Sequence, residues 1–121
     1  MNIRRVVPDI PSERMEESKT FYTNLGFDVA MDLGWIVTLV SPENPTAQVT
    51  LLQSSPDTTL QPNMSIEVAD VDAAYAKAQE QAQSIVYDLT DEPWGVRRFF
   101  VVDPNGVIIN VMSHHPKPDA D

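Results

Sequence analysis

Along the chain, hydrophobic and polar positions run through one succession of periods and then through it again. Ile3 to Val7 is apolar and β-branched, as a strand requires, and Pro8 and Pro11 interrupt it before Ser12, a residue type that caps helix N-termini. Met15, Tyr22 and Leu25 then recur at helical spacing. Glu13, Glu16 and Glu17 load the N-terminal end of that predicted helix with the charge its dipole favours, and Gly26 stops it. Three strand-like runs follow, Phe27 to Met31, Trp35 to Val40 and Gln48 to Leu52, separated by Asp32-Leu33-Gly34 and by Ser41-Pro42-Glu43-Asn44-Pro45.

After a polar, turn-rich stretch the succession restarts. Met64 to Val68 reads as a strand, Asp70 opens a helix with Val71, Ala74, Tyr75 and Ala82 among its apolar positions, and strands are predicted at Ile85 to Tyr87, Val96 to Val102 and Val107 to Met112. The last two are joined by Asp103-Pro104-Asn105-Gly106, a strong hairpin turn. The pattern predicts an α+β protein of two tandem βαβββ modules: residues 1–53, a linker at 54–62, residues 63–113, and a flexible tail at 114–121. Aligning Ser12 with Val68 places Val7 on Asn63 and Arg14 on Asp70, so the repeat is one of architecture rather than of identity.

Composition narrows the function classes. The 121 residues suit one structural domain, and no apolar run approaches the roughly 20 residues of a membrane-spanning helix. The two basic residues near the N-terminus meet Pro8 and Asp9 before any leader-like apolar segment, so a cytoplasmic location is the expectation. With no cysteine there is neither a disulfide framework nor a thiolate ligand or nucleophile. A net charge of −10 sets an unfavourable field for nucleic acid; it supplies solubility and, in a functional reading, favours cationic ligands.

Three segments carry a resemblance. Glu16 through Phe27, with Phe21-Tyr22 and Leu25-Gly26-Phe27, resembles the "FY…LGF" helix end of the glyoxalase/bleomycin-resistance/extradiol-dioxygenase (vicinal oxygen chelate) superfamily. Ile66 through Tyr75 resembles its second-module strand-to-helix passage, and Trp94 through Gly106 its closing hairpin. The resemblance implies two modules whose sheets curl around a cleft, helices on the outer faces, and a homodimer. A ferredoxin-like domain is the alternative that periodicity alone leaves open.

Metal-using members of that superfamily bind a divalent cation through histidine and glutamate or glutamine on the first and last strands of each module. The resemblance puts Val7, Gln48 or Thr50, Asn63 and Asn110 at those positions, with "DPNGVIIN" in place of the usual "DPxGxxxE". None is a histidine or a carboxylate, and the two histidines, His114 and His115, fall beyond the predicted last strand. No metal and no cofactor are therefore expected. Adjacent residues at a strand end point to opposite sides, so the histidines read as a solvated pair, and Asp9, Glu13 and Glu67 as solvated or capping carboxylates.

If Asn110 faces inward as the superfamily's glutamate does, Ile108 and Met112 share its face. Trp35 and Trp94, each beside a glycine, are candidate stacking walls, and of the consecutive Phe99 and Phe100 one must face the core and the other the cleft, Phe100 being the candidate for the cleft. The expected ligand site is thus Trp35, Gln48, Thr50, Asn63, Trp94, Phe100, Ile108, Asn110 and Met112, with no catalytic residue assigned. The expected function is metal-independent binding of a planar or cationic small molecule such as an antibiotic, with neither nucleic acid nor membrane as partner. The alternatives are a metal-dependent lyase, isomerase or dioxygenase of the superfamily, and a regulatory or scaffolding dimer whose cup is filled by side chains.

Overall fold

The computed structural model describes residues 2–53 and 60–114. It divides into two compact units, one of residues 6–61 and one of residues 1–5 with 62–121. The chain runs β1 (Ile3–Ser12), α1 (Met15–Leu25), β2 (Asp28–Asp32), β3 (Ile36–Val40), β4 (Gln48–Gln53), β5 (Met64–Val68), α2 (Val71–Glu80), β6 (Ser84–Glu92), β7 (Val96–Val102) and β8 (Ile108–His114). Among the described residues, two helices and eight strands with both parallel and antiparallel pairs make this an α+β fold. Three strands follow each helix, which is not the β-α-β-β-α-β order of a ferredoxin-like domain.

In the unit of residues 6–61 the strand order is β2-β3-β4-β1, with β1 parallel to β4 and the other pairs antiparallel. Alternation along β3 and β4 sends Val37, Leu39, Val49 and Leu51 to one face, where Ile10, Met15, Tyr22 and Phe27 pack on them. Helix α1 is attached by few side chains: none of its residues is fully buried, and Phe21 and Leu25 are 59% and 66% exposed. Leu25 therefore belongs to the helical periodicity but not to the core.

The second unit repeats the arrangement with the order β5-β8-β7-β6, β5 and β8 being parallel. Helix α2 is seated more firmly. Val71, Ala74 and Ala78 form its buried stripe at helical spacing and meet Val68 and Phe99, with Tyr75 edge-on to Phe99 at 5.2 Å between ring centroids. Asp70 caps the helix, its side chain accepting from Ala73 N at 3.1 Å, as its residue type and position predict.

Several boundaries differ from the sequence reading, each for a local reason. β1 does not stop at Val7 but continues through Pro8 and Pro11 to Ser12, because the fixed proline φ is compatible with extended backbone and costs only a donor. Ser12 consequently does not cap α1. Its Oγ accepts from Arg14 N at 3.1 Å and lies 3.1 Å from Ser18 Oγ, while Arg14 occupies the cap position without a side-chain bond. β6 extends past Tyr87 to Glu92 although aspartate and glutamate are poor strand formers, since Asp91 sits opposite Arg97 and pairs with it at 3.0 Å. β8 reaches His114, opposite Val96, so the predicted tail begins one residue too early. Most of the expected linker, residues 54–59, and of the tail, including His115, lies outside the described residues.

Replacing Phe99 with alanine is expected to cost about 3–5 kcal/mol of unfolding free energy in urea, because its ring is 1% exposed in the α2 core. Phe21→Ala, on the exposed side of α1, is expected to change stability by no more than about 0.5 kcal/mol in the same measurement.

Candidate functional site

The turn between β7 and β8 fixes which side chains share a face. Asp103 Oδ1 accepts from Asn105 N at 2.7 Å and Val107 N at 2.9 Å, and Gly106 takes the φ of +85° that closes the turn. The Val107 backbone bond is the main influence holding the Asp103 carboxyl below its usual range; burial opposes it, and the Asn105 contacts add to it. With that turn in place Val102 pairs Ile108, Phe100 pairs Asn110, Arg98 pairs Met112 and Val96 pairs His114. On the flanking strands Ser65 lies opposite Asn110, Glu67 opposite Met112, and Tyr87 opposite Phe100. Pleat alternation puts Phe99, Val101 and Val111 against α2, and turns Arg98, Phe100, Asn110 and Met112 to the other face.

Asn110 lies in the middle of this face and is 8% exposed. Its Nδ2 donates to Ser65 Oγ at 3.0 Å, while its Oδ1 is buried with no hydrogen-bond partner among the described residues. A buried, unsatisfied amide oxygen carries a desolvation cost of roughly 1–3 kcal/mol, so a donor arriving there would be strongly favoured.

Beside it stands an arginine wrapped in aromatic rings. The Arg98 guanidinium carbon is 5.4 Å from the Tyr87 centroid, 5.2 Å from that of Trp94 and 4.8 Å from that of Phe100, all within cation–π range. Tyr87 and Phe100 themselves lie 4.7 Å apart between centroids. Glu92 completes the group: its Oε2 accepts from Arg98 Nε at 2.8 Å and from the Tyr87 hydroxyl at 2.6 Å.

A second polar group occupies the end of the same sheet. Glu67, 16% exposed at its side chain, accepts from Arg5 Nε through Oε1 and meets His114 Nδ1 at 2.9 Å through Oε2. A carboxylate only accepts, so Nδ1 carries the proton, and whenever the ring is neutral Nε2 is its lone-pair nitrogen. Burial pushes the Glu67 carboxyl upward, but its bonds to His114 and Arg5 together outweigh burial and hold it below its ordinary range.

These positions correct several expectations. Glu67 is an ion-paired, largely buried carboxylate rather than a solvated or capping one, and His114 belongs to β8 instead of lying beyond it. Asp9 is also buried, at 7% exposure, and engaged in a polar interaction, so it too is not a solvated acid. Among the expected ligand residues, Phe100, Asn110 and Met112 share the face opposite α2, and Trp94 reaches it through Arg98. Phe99, not Phe100, is the one that packs under the helix. Asn63 is already engaged, its Oδ1 accepting from Ile108 N at 2.9 Å.

In the other unit, Thr50 lies between Thr38 and Asp9 in register, on the face opposite α1. Gln48 donates through Nε2 to Pro45 O at 2.8 Å, and Trp35 is 49% exposed. A surface groove of about 330 Å³ between β1 and α1 has two charged lining residues, Arg14 and Glu17, which pair with one another. The residues that sequence reasoning missed are Tyr87, Glu92 and Arg98. For Arg98 the signal was the hairpin itself, because once Phe100 is opposite Asn110, Arg98 must share that face.

Residues 3–111 match the family model described as the glyoxalase/bleomycin resistance protein/dioxygenase superfamily. The chain belongs to this superfamily. No curated protein matches the sequence. Among solved structures, a superfamily member from Vibrio splendidus 12B01 is similar at 22% identity and a TM-score of 0.72, over 93% of this chain and 99% of that one. Methylmalonyl-CoA epimerase from Mycobacterium tuberculosis is similar at 20% identity and a TM-score of 0.74, over 99% and 92%. At such identities the likeness is one of fold.

The residues at the superfamily's metal positions do not fit a divalent first-row ion. Of the positions the resemblance assigns, Val7 offers an alkyl group, Gln48 or Thr50 a neutral amide oxygen or hydroxyl, Asn63 an amide oxygen already bonded to Ile108, and Asn110 a single amide oxygen. Among the described residues no three histidine or acidic side chains converge. An imidazole and a carboxylate do meet, at His114 and Glu67, but they are bonded to each other.

Glu67→Gln is expected to lower stability by about 1–3 kcal/mol at neutral pH, since it weakens charge-assisted bonds to Arg5 and His114. The folded-state carboxyl titrates below its unfolded value, so its contribution is present above the unfolded pKa and lost as pH falls through the folded one. Urea titrations of parent and variant should accordingly converge as the medium is acidified.

Proposed function

We propose that this member of the superfamily is a metal-independent small-molecule-binding protein whose ligand lies on the β5-β8-β7-β6 face opposite α2. The single observation behind this reading is the buried Asn110 Oδ1, an acceptor with no donor among the described residues, set beside the ring of Phe100. A flat molecule carrying an N–H or O–H group would satisfy that oxygen at its edge while its plane meets aromatic surface, the combination typical of small-molecule sites. Planar antibiotics fall within that class. Positive charge on the ligand is not what this face favours, because the Arg98 guanidinium already lies over all three rings.

A second reading rests on a different observation, the His114–Glu67 pair. An imidazole held by a carboxylate, with Nε2 as its lone-pair nitrogen, suits proton transfer in a lyase or isomerase that uses no metal. Its signature would be exchange of solvent deuterium into a bound carbon acid, lost in His114→Gln.

The binding reading is tested with Asn110→Leu, which replaces a buried unsatisfied amide by an alkyl group of similar volume. Stability in urea should stay unchanged or rise, because the orphaned oxygen is removed. Thermal shifts given by planar aromatic compounds with a ring hydroxyl or amino group should disappear, and the same shifts in the parent should survive a chelator. A variant that is less stable than the parent, together with no shift in the parent from any such compound, would overturn the proposal.

A further inference from the structure

The Arg98 side chain is held from several sides at once. Three rings flank its guanidinium, Glu92 fixes its Nε, and the side chain is 22% exposed. Arg97, its neighbour in the chain, faces the opposite way and spends its donors on Asp72 and Asp91, tying α2 and β6 to β7. Arg98 makes no hydrogen bond to α2 among the described residues, and only its Nε is spent, on Glu92 of β6. Within those residues the two terminal nitrogens, which form the fork of the guanidinium, have no hydrogen-bond partner. Glu92 meanwhile divides its Oε2 between Arg98 and the Tyr87 hydroxyl, so it does not cover that fork.

From this arrangement we infer that Arg98 is an anion clamp, and that the ligand of this face is a planar carboxylic acid which also carries a hydrogen-bond donor for Asn110. This assignment of ligand class rests on the binding reading given above. The fork of a guanidinium matches a carboxylate in two parallel N–H···O bonds, and a side chain already immobilised by stacking loses little further freedom on making them. Arg98 stands opposite Met112 and diagonal to Asn110 across β7 and β8, a separation of roughly 7–8 Å between the residues. An aromatic ring with a carboxylate at one position and a hydroxyl at another presents both groups to neighbouring side chains of one sheet face. The acid would thus meet the fork while the hydroxyl donates to the orphaned Oδ1. The protein's net charge of −10 does not contradict this, since recognition is set by the local pair of donors, and the overall field acts mainly on the encounter rate.

Calorimetric titration with 3-hydroxybenzoate and 3-hydroxybenzamide separates the possibilities, because the two probes share ring and hydroxyl and differ only in the acid. Binding of the benzoate at least tenfold more tightly than the amide, with the preference abolished in Arg98→Lys, supports the clamp: lysine keeps the charge but not the fork. Equal binding of the two probes, lost in Asn110→Leu, would overturn the anion assignment and leave the binding face standing. Absence of binding by both would overturn the clamp and the binding face together. Because the probe pair is compared first on the unaltered protein, the outcome does not depend on Arg98→Lys folding.

Discussion

Register between β7 and β8 governs the chemistry of the second unit. A strand places successive side chains on opposite faces, so a slip of one residue would exchange the whole set. Here the slip is prevented by Asp103, whose carboxylate gathers two backbone N–H groups, and by Gly106, whose φ of +85° few other residues would tolerate. From that turn it follows that Arg97 and Phe99 serve the helix side while Arg98 and Phe100 serve the other. Four consecutive residues thus divide between the two faces of the sheet.

The same face shows how a strongly acidic chain keeps positive charge where it matters. Arg5 and Arg98 are each matched by a glutamate with little exposure, 16% for Glu67 and 9% for Glu92. Pairs this sheltered are not simple sources of stability, since desolvation opposes their attraction. Their value is geometric: Glu67 orients His114, and Glu92 orients Arg98 while the rings hold its plane.

Much of the fold was legible because periodicity and turn chemistry agree. β5 and β7 match the sequence reading residue for residue, Asp70 caps α2, and both βαβββ successions are present. What was not legible depended on partners distant in sequence. β1 continues past two prolines because β4 is there to pair with it, and β6 runs to Glu92 because Arg97 stands opposite Asp91. In the candidate site, alternation from Asn110 identified Met112, and the hairpin identifies Phe100. Arg98 escaped notice because charged strand residues ordinarily read as solvated; only the placement of Tyr87 and Trp94 around it shows otherwise. Glu67 was misread for the same reason, its partners Arg5 and His114 lying at the two ends of the chain.

In the unit of residues 6–61, β2 has every residue exposed, and its outer backbone groups could template the pairing of another chain. Val29 and Met31, 45% and 38% exposed, would make such a template sticky. Two features blunt it: an irregularity between those two residues that breaks the regular spacing of donors, and aspartates at both ends, Asp28 and the Lys19-paired Asp32. A bare margin that is kinked in the middle and charged at its tips is a guard against intermolecular aggregation, written into five residues.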